Sequence, residues 1–287
     1  MQEAARRYGI PADEWLDLST GINPVGWPVP PLPPECWQRL PEADDGLDEA
    51  AAAYYGTDQL LAVAGSQAAI QALPRLRPPS TVAILSPAYA EHRRAWEGAG
   101  HAVRPVAAEA VAEAVPEVDV LVLVHPNNPT GATFPRERLR QWHGELAARG
   151  GWLVVDEAFM DATPEASLAP EAGREGLVVL RSLGKFFGLA GVRVGFVLAW
   201  PALRTALEAA LGPWAVSHPA REVARRALAD RPWQERTRAR LAGEGPRLRD
   251  LLAGHGLPPA GGTTLFQWVP THRAEAVHGA LAQQGIL

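Results

Sequence analysis

Seven short apolar runs recur through the first two thirds of the chain: LLAVAG from Leu60, TVAILS from Thr81, HAVRPV from His101, VDVLVLVHP from Val118, GWLVVDEAF from Gly151, GLVVLRSL from Gly176 and VRVGFVLA from Val192. Each is continuously apolar rather than alternating, the pattern of a strand covered on both faces. Between them, Ser66–Leu76, Ala90–Gly98, Pro135–Ala148 and Pro201–Leu211 have helical length and composition. Strand and helix in alternation predict an α/β unit with a mostly parallel, doubly wound sheet. The last two runs are joined by a short glycine-containing link with no room for a crossover helix, so they should be antiparallel or unpaired neighbours in a mixed sheet.

Beyond Trp214 the pattern changes. A long Arg-rich amphipathic segment, Arg221 to Leu252, is followed by GGTTLFQWV and by a helical stretch from Arg273 to Gln284, which reads as a smaller α+β unit. The stretch PVPPLPP, Pro28 to Pro34, is a stiff connection. The expected layout is an arm over 1–34, a large unit over 35–212 and a C-terminal unit over 213–287.

At 287 residues and 47% hydrophobic content the chain can bury a sizeable core. A net charge of −5 gives no general attraction to nucleic acid or an anionic membrane, and the Arg-rich segment is interleaved with Glu222, Asp230, Glu235, Glu244 and Asp250, as on a solvated face. Cys36 is the only cysteine, which excludes an intramolecular disulfide. The N-terminus has no apolar signal core and no run approaches the roughly 20 residues of a membrane span, so a cytoplasmic protein is expected.

In an open α/β sheet, ligands bind beyond the carboxyl ends of the strands. After the first strand, Gly65 permits close backbone approach and Ser66 can cap a helix whose free amides would hold a phosphate, although an ordinary strand-to-helix turn has the same signature. After the fourth, HPNNPTG is a rigid loop presenting Asn127 and Asn128. After the fifth, Asp156 in DEAF is a carboxylate that burial makes costly without a partner. Last comes RSLGKFFGLAGVRVGF, in which Lys185 has no acidic neighbour and stands between Ser182 and Arg193. An amine that can form a Schiff base, a carboxylate for a protonated ring nitrogen, and an arginine with helix amides for a phosphate together complement pyridoxal 5'-phosphate.

HPNNPTG, DEAF and SLGKFFGLAGVRVGF, in that order, resemble the fold-type I pyridoxal-phosphate enzymes of the aminotransferase superfamily. The resemblance implies that Lys185 carries the cofactor, Asp156 keeps the pyridine nitrogen protonated, and Asn128 bonds the ring's 3'-oxygen. It further implies that Ser182, Arg193 and the amides around Gly65 and Ser66 hold the phosphate, with Tyr89 of SPAYAEH stacked on the ring. Where related aminotransferases have Tyr after DEA, this chain has Phe159. LDLSTGINPVGWP, RLPEADDGLDEAAAAYYG, PAYAEHRRAW, GPWAVSHPA and GGTTLFQWV resemble the branch of threonine-phosphate decarboxylases of cobalamin biosynthesis, close relatives of histidinol-phosphate aminotransferases. That branch implies loss of carbon dioxide from L-threonine O-3-phosphate, an N-terminal loop in which Asn23 touches substrate, and a homodimer; the alternatives are a histidinol-phosphate-type aminotransferase and a chain that binds pyridoxal phosphate without turnover. It also implies an HGG-like segment ahead of Met1 and, beyond Leu287, a strand with carboxylate-binding arginines, so the C-terminal unit is expected to be incomplete. His218 stands where the branch has Gly.

Overall fold

The computed structural model describes residues 1–287. Three helices, α1 (Gln2–Tyr8), α2 (Glu35–Gln38) and α3 (Leu47–Tyr55), lead into a seven-stranded sheet. Its strands are β1 (Leu60–Val63), β2 (Thr81–Leu85), β3 (Ala102–Val106), β4 (Val120–Val124), β5 (Trp152–Asp156), β6 (Leu177–Ser182) and β7 (Gly195–Leu198), in the order β1-β7-β6-β5-β4-β2-β3. Strands β3, β2, β4, β5 and β6 run parallel, and β7 lies antiparallel between β6 and β1. All seven expected strands form, and the mixed sheet closes with its antiparallel pair where the short link required it.

Helices α4 (Ser66–Ala72), α5 (Ala90–Gly98), α6 (Val111–Ala114), α7 (Arg136–Ala147) and α8 (Pro201–Leu211) connect or follow the strands. The period of two along a strand sends Leu121, Leu123, Leu153 and Val155 into one core of 38 residues and Val120, Val122, Trp152 and Val154 into another of 18. The sheet is thus covered on both faces at its centre. At its edge the expectation fails: in β3 only Val106 is buried, which is why Pro105, unable to donate to a ladder, is tolerated there.

The segment expected as one amphipathic stretch is two helices, α9 (His218–Ala229) and α10 (Arg231–Gly254). The break falls at Asp230, whose carboxylate accepts the Trp233 amide at 3.1 Å and caps α10, with Pro232 in the first turn. Val223, Ala224 and Ala227 of α9 join the larger core. The tail adds a minimal hairpin, β8 (Gly261–Gly262) with β9 (Gln267–Trp268), and α11 (Ala274–Ala282). The final residues pair back on the arm by one isolated bridge: Ile286 lies parallel to Leu16, and Leu16 N donates to the Gly285 carbonyl at 2.8 Å.

Candidate active site

A cavity opens beyond the carboxyl ends of β4, β5 and β6. Lining it are Gly65, Ser66, Tyr89, Asn128, Asp156, Ser182, Lys185 and Arg193, all eight cofactor residues expected from sequence, together with Gln67 and Phe159. Ser66 requires a correction. It does not cap α4 by its side chain; Gly65 occupies that position and Ser66 is the first helical residue, its hydroxyl making no hydrogen bond to the protein. Gly65 has φ 75°, and a Cβ there would lie 2.7 Å from Arg193 Nη2, so glycine both permits the turn and lets the guanidinium reach the cavity. Arg193 is itself left-handed at φ 59°, a conformation that costs a non-glycine residue about 1–2 kcal/mol.

Lys185 is the only lysine among the 27 Lys and Arg residues of the chain. Its amine makes no hydrogen bond or ion pair and stands 5.3 Å from the centroid of the Phe159 ring. Burial pushes the amine below its ordinary value, Asp156 opposes this, and Arg193 adds to it. The amine therefore loses its proton more readily than a solvated lysine. Phe159 presents no hydroxyl; its ring packs edge-on against Phe266, 4.9 Å between centroids.

Asp156 is buried at the end of β5 and bonds His92 Nε2 at 2.9 Å, while its Oδ1 accepts the Ala158 amide at 3.1 Å. The carboxylate therefore has the partner that burial demanded. His92 was not singled out from sequence. Its signal was available in SPAYAEH, where it follows Tyr89 by three positions and so lies one turn further along α5. Tyr89 is 41% exposed, and its hydroxyl donates to Gln67 Oε1 at 3.1 Å, which sets the ring at the mouth of the cavity. Asn128 keeps its amide free of protein partners, whereas Asn127 spends its Nδ2 on Pro87 O and Thr130 Oγ1.

The period of two also builds a second layer. Ser182 faces the cavity while its neighbour Arg181, 1% exposed, points behind it to Glu157 at 2.7 Å and to Asp161. Ser167 and the Leu168 amide satisfy the rest of Glu157. Arg238 of α10 joins this layer through the Asp161 carbonyl at 2.8 Å and the Tyr54 hydroxyl at 3.1 Å, and Tyr54 donates to Asp161 at 3.0 Å. The solvated reading of the Arg-rich segment thus holds for Arg225 and Arg226, paired with Glu222, but not for Arg238.

Asn23 lies outside the cavity lining. It is 2% exposed, its Nδ2 donates to Phe186 O at 2.8 Å, and its Oδ1 accepts Val25 N at 3.1 Å and Arg240 Nη2 at 2.7 Å. As placed, it touches the backbone that bears Lys185.

An open α/β sheet with a desolvated amine, a buried carboxylate, a free amide and an arginine–serine cluster around one cavity defines an enzyme of carbonyl and amine chemistry. Residues 38–287 match the family model of aminotransferase class I and II, and the chain belongs to that family. Over 287 residues it is 54% identical to the threonine-phosphate decarboxylase of Pseudomonas aeruginosa, covering all of this chain and 87% of that one. Among solved structures, an L-threonine-O-3-phosphate decarboxylase from Porphyromonas gingivalis superposes with a TM-score of 0.69 at 26% identity, covering 80% of this chain and 76% of that one. The histidinol-phosphate aminotransferase of Sinorhizobium meliloti, solved with pyridoxal-5'-phosphate, superposes at 0.83 over the whole chain and 84% of its own; at 20% identity the likeness is one of fold.

Proposed function

We propose that the chain is a pyridoxal-phosphate-dependent decarboxylase that converts L-threonine O-3-phosphate to 1-amino-2-propanol O-2-phosphate, a step of cobalamin biosynthesis. The observation that carries this reading is the 54% identity to a threonine-phosphate decarboxylase along the whole chain, joined to a cavity whose donor set suits the cofactor. The fit is chemical: one free amine, one histidine-bonded carboxylate, one unpaired amide, and hydroxyls and a guanidinium around a glycine that any Cβ would block.

Pyridoxal phosphate supplies, when bound, an aldehyde that captures amines and a ring that accepts the electron pair of a breaking Cα bond. Lys185 would hold the aldehyde carbon and afterwards move a proton at Cα. Asp156 would hold a proton on the ring nitrogen, its carboxylate aimed by His92. Asn128 would donate to the 3'-oxygen. Ser66, Ser182, Arg193 and the amides at Gly65 would receive the phosphate. Tyr89 would cover one ring face, and Phe159 would exclude water beside the lysine. Decarboxylation demands that the substrate's carboxylate bond stand out of the ring plane, so its phosphate and carboxylate need separate anchors.

All residues lining the cavity fall in the unit read as 35–212. No helix is long and apolar enough to cross a membrane, and we place the enzyme in the cytoplasm. A homodimer accounts for the exposed Val29 of the Pro-rich arm and for the exposed Trp37, Leu40 and Trp214 beyond it. The test supplies purified protein with threonine phosphate and measures carbon dioxide and aminopropanol phosphate. Lys185→Ala should lower turnover on the order of 10³-fold or more and abolish borohydride-fixed cofactor. Transamination of histidinol phosphate with no carbon dioxide would replace this reading by the aminotransferase one.

A further inference from the structure

The turn that carries Lys185 has no regular structure to hold it. Residues 183–189 lie in neither helix nor strand, and within the turn Gly188 N donates to Lys185 O and Leu189 N to Leu183 O, both at 3.2 Å. Both lie at the long end of the ordinary range, and the turn is further anchored by Phe186 and Phe187, fully buried in the core. Its carbonyls, however, are met from far away in sequence. The Asn23 amide donates to Lys185 O at 3.0 Å, its side-chain Nδ2 to Phe186 O at 2.8 Å, and Trp27 N to Phe187 O at 2.8 Å. Three consecutive carbonyls are thus received by five residues of the arm.

The fit is close enough to exclude side chains at the seam. A Cβ on Gly188, φ 67°, would lie 2.6 Å from Gly26 Cα and 2.8 Å from Asn23 O. Asn23 is in turn held from the other side. Its Oδ1 accepts Arg240 Nη2 at 2.7 Å, so an arginine of α10 orients the amide that grips Phe186 O. With Oδ1 taken twice and one Nδ2 hydrogen committed, a single Nδ2 hydrogen remains.

We infer that Asn23 is a positioning residue for Lys185, fixing the lysine-bearing turn through the carbonyls of Lys185 and Phe186, and that Arg240 sets the orientation of Asn23. The inference rests on the reading of Lys185 as the amine that carries the cofactor. It replaces substrate contact, the role the family resemblance implied for Asn23, by an action through the backbone. It also makes α10 part of the lysine's support although α10 contributes nothing to the cavity lining.

The test needs a readout taken before any substrate is added. The full chain, stripped and resupplied with pyridoxal phosphate, is followed by visible absorbance and by the mass fixed on Lys185 with borohydride, and kcat and KM are then measured. Asn23→Ala should slow covalent uptake and lower kcat by about 10-fold each, with KM within about threefold, because small misplacements of a reacting group cost one to two orders of magnitude. Asn23→Asp keeps the Arg240 contact but sets an anion against Phe186 O; it should be as slow as Asn23→Ala. Arg240→Met, at a partly exposed side chain that the fold can lose, should slow uptake by about threefold, and Arg240→Lys should restore most of it.

Normal uptake and kcat with a raised KM in Asn23→Ala would make Asn23 a substrate contact and overturn the inference. Wild-type uptake in Asn23→Asp would overturn the role of the Phe186 bond, and wild-type uptake in Arg240→Met would overturn the role of α10. Borohydride-fixed cofactor persisting in Lys185→Ala would instead defeat the underlying assignment of the lysine, a separate result.

Discussion

Every residue of β4 and β5 is buried, whereas beyond Gly254 only Ala282 and Gly285 are. The whole lining of the cavity, floor included, comes from residues 65–193; the arm and the C-terminal hairpin form an outer rim packed against that lining, Phe266 on Phe159, and the two are held by different forces. In the floor, ladder hydrogen bonds, two packed cores and the Arg181–Glu157–Asp161 layer hold the strand ends that carry Asp156 and Ser182. In the rim, isolated main-chain bonds and glycine-to-backbone contacts do the holding: a Cβ on Gly261 would lie 2.0 Å from Thr130 O, and one on Gly131 2.2 Å from Gly262 O. A site built this way keeps its charges rigid while the rim packed against it belongs to the less stable part of the molecule.

The largest effect should come from breaking the floor. Arg181→Met leaves Glu157 and Asp161 buried and uncompensated, and chemical denaturation should show a loss of about 3–5 kcal/mol, as for removal of one partner of a buried pair. A loss under about 1 kcal/mol would mean that the floor does not depend on this layer. Next, Asp156→Ala should cut turnover by about 10²-fold through the ring nitrogen's lost ion pair, with His92→Phe several-fold milder. Circular dichroism should show both folded, and equal effects from the two would place the critical charge elsewhere.

At the rim, Gly261→Ala forces the hairpin away from the Thr130 loop at a cost of about 1–3 kcal/mol. That cost should appear as faster amide exchange in residues 255–287, with the sheet unaffected; equally faster exchange throughout the sheet, or no change anywhere, would erase the distinction between regions. The smallest effect concerns charge in the cofactor-free protein. A lysine whose amine is held below its ordinary value is destabilising while protonated, and the penalty fades as pH rises from the lowered folded value toward the unfolded one. Lys185→Met should therefore raise the melting temperature at pH 7 by about 1–3 °C, with the gain over wild type shrinking toward pH 10.

The floor was legible in the sequence because continuous apolar runs with polar residues immediately after them signal buried strands and the groups at their ends. Gly65, Asn128 and Asp156 were found that way, whereas Ser182, Lys185 and Arg193 stood out as a lysine without acidic neighbours between a serine and an arginine. The supports were less legible. Arg181 alternates with Ser182 on a strand, yet only the fold brings Asp161 and Tyr54 to it, and nothing local in α10 tells Arg238 and Arg240 apart from the solvated arginines around them. Asn23 was found for its tight turn, while its partners, 163 and 217 positions away, come from tertiary structure. The break at Asp230 could have been seen from Asp-Arg-Pro, a capping residue with proline just inside the helix.

One feature of composition acquires a practical meaning from its location. Because the amine of Lys185 is the chain's sole side-chain primary amine, a protease that cuts only after lysine can produce just two fragments, 1–185 and 186–287. Reductive attachment of any aldehyde at that amine would block the cut. The intact-to-cleaved ratio on a denaturing gel then counts occupied sites in a population of molecules, without spectroscopy and without knowing the activity of any one of them.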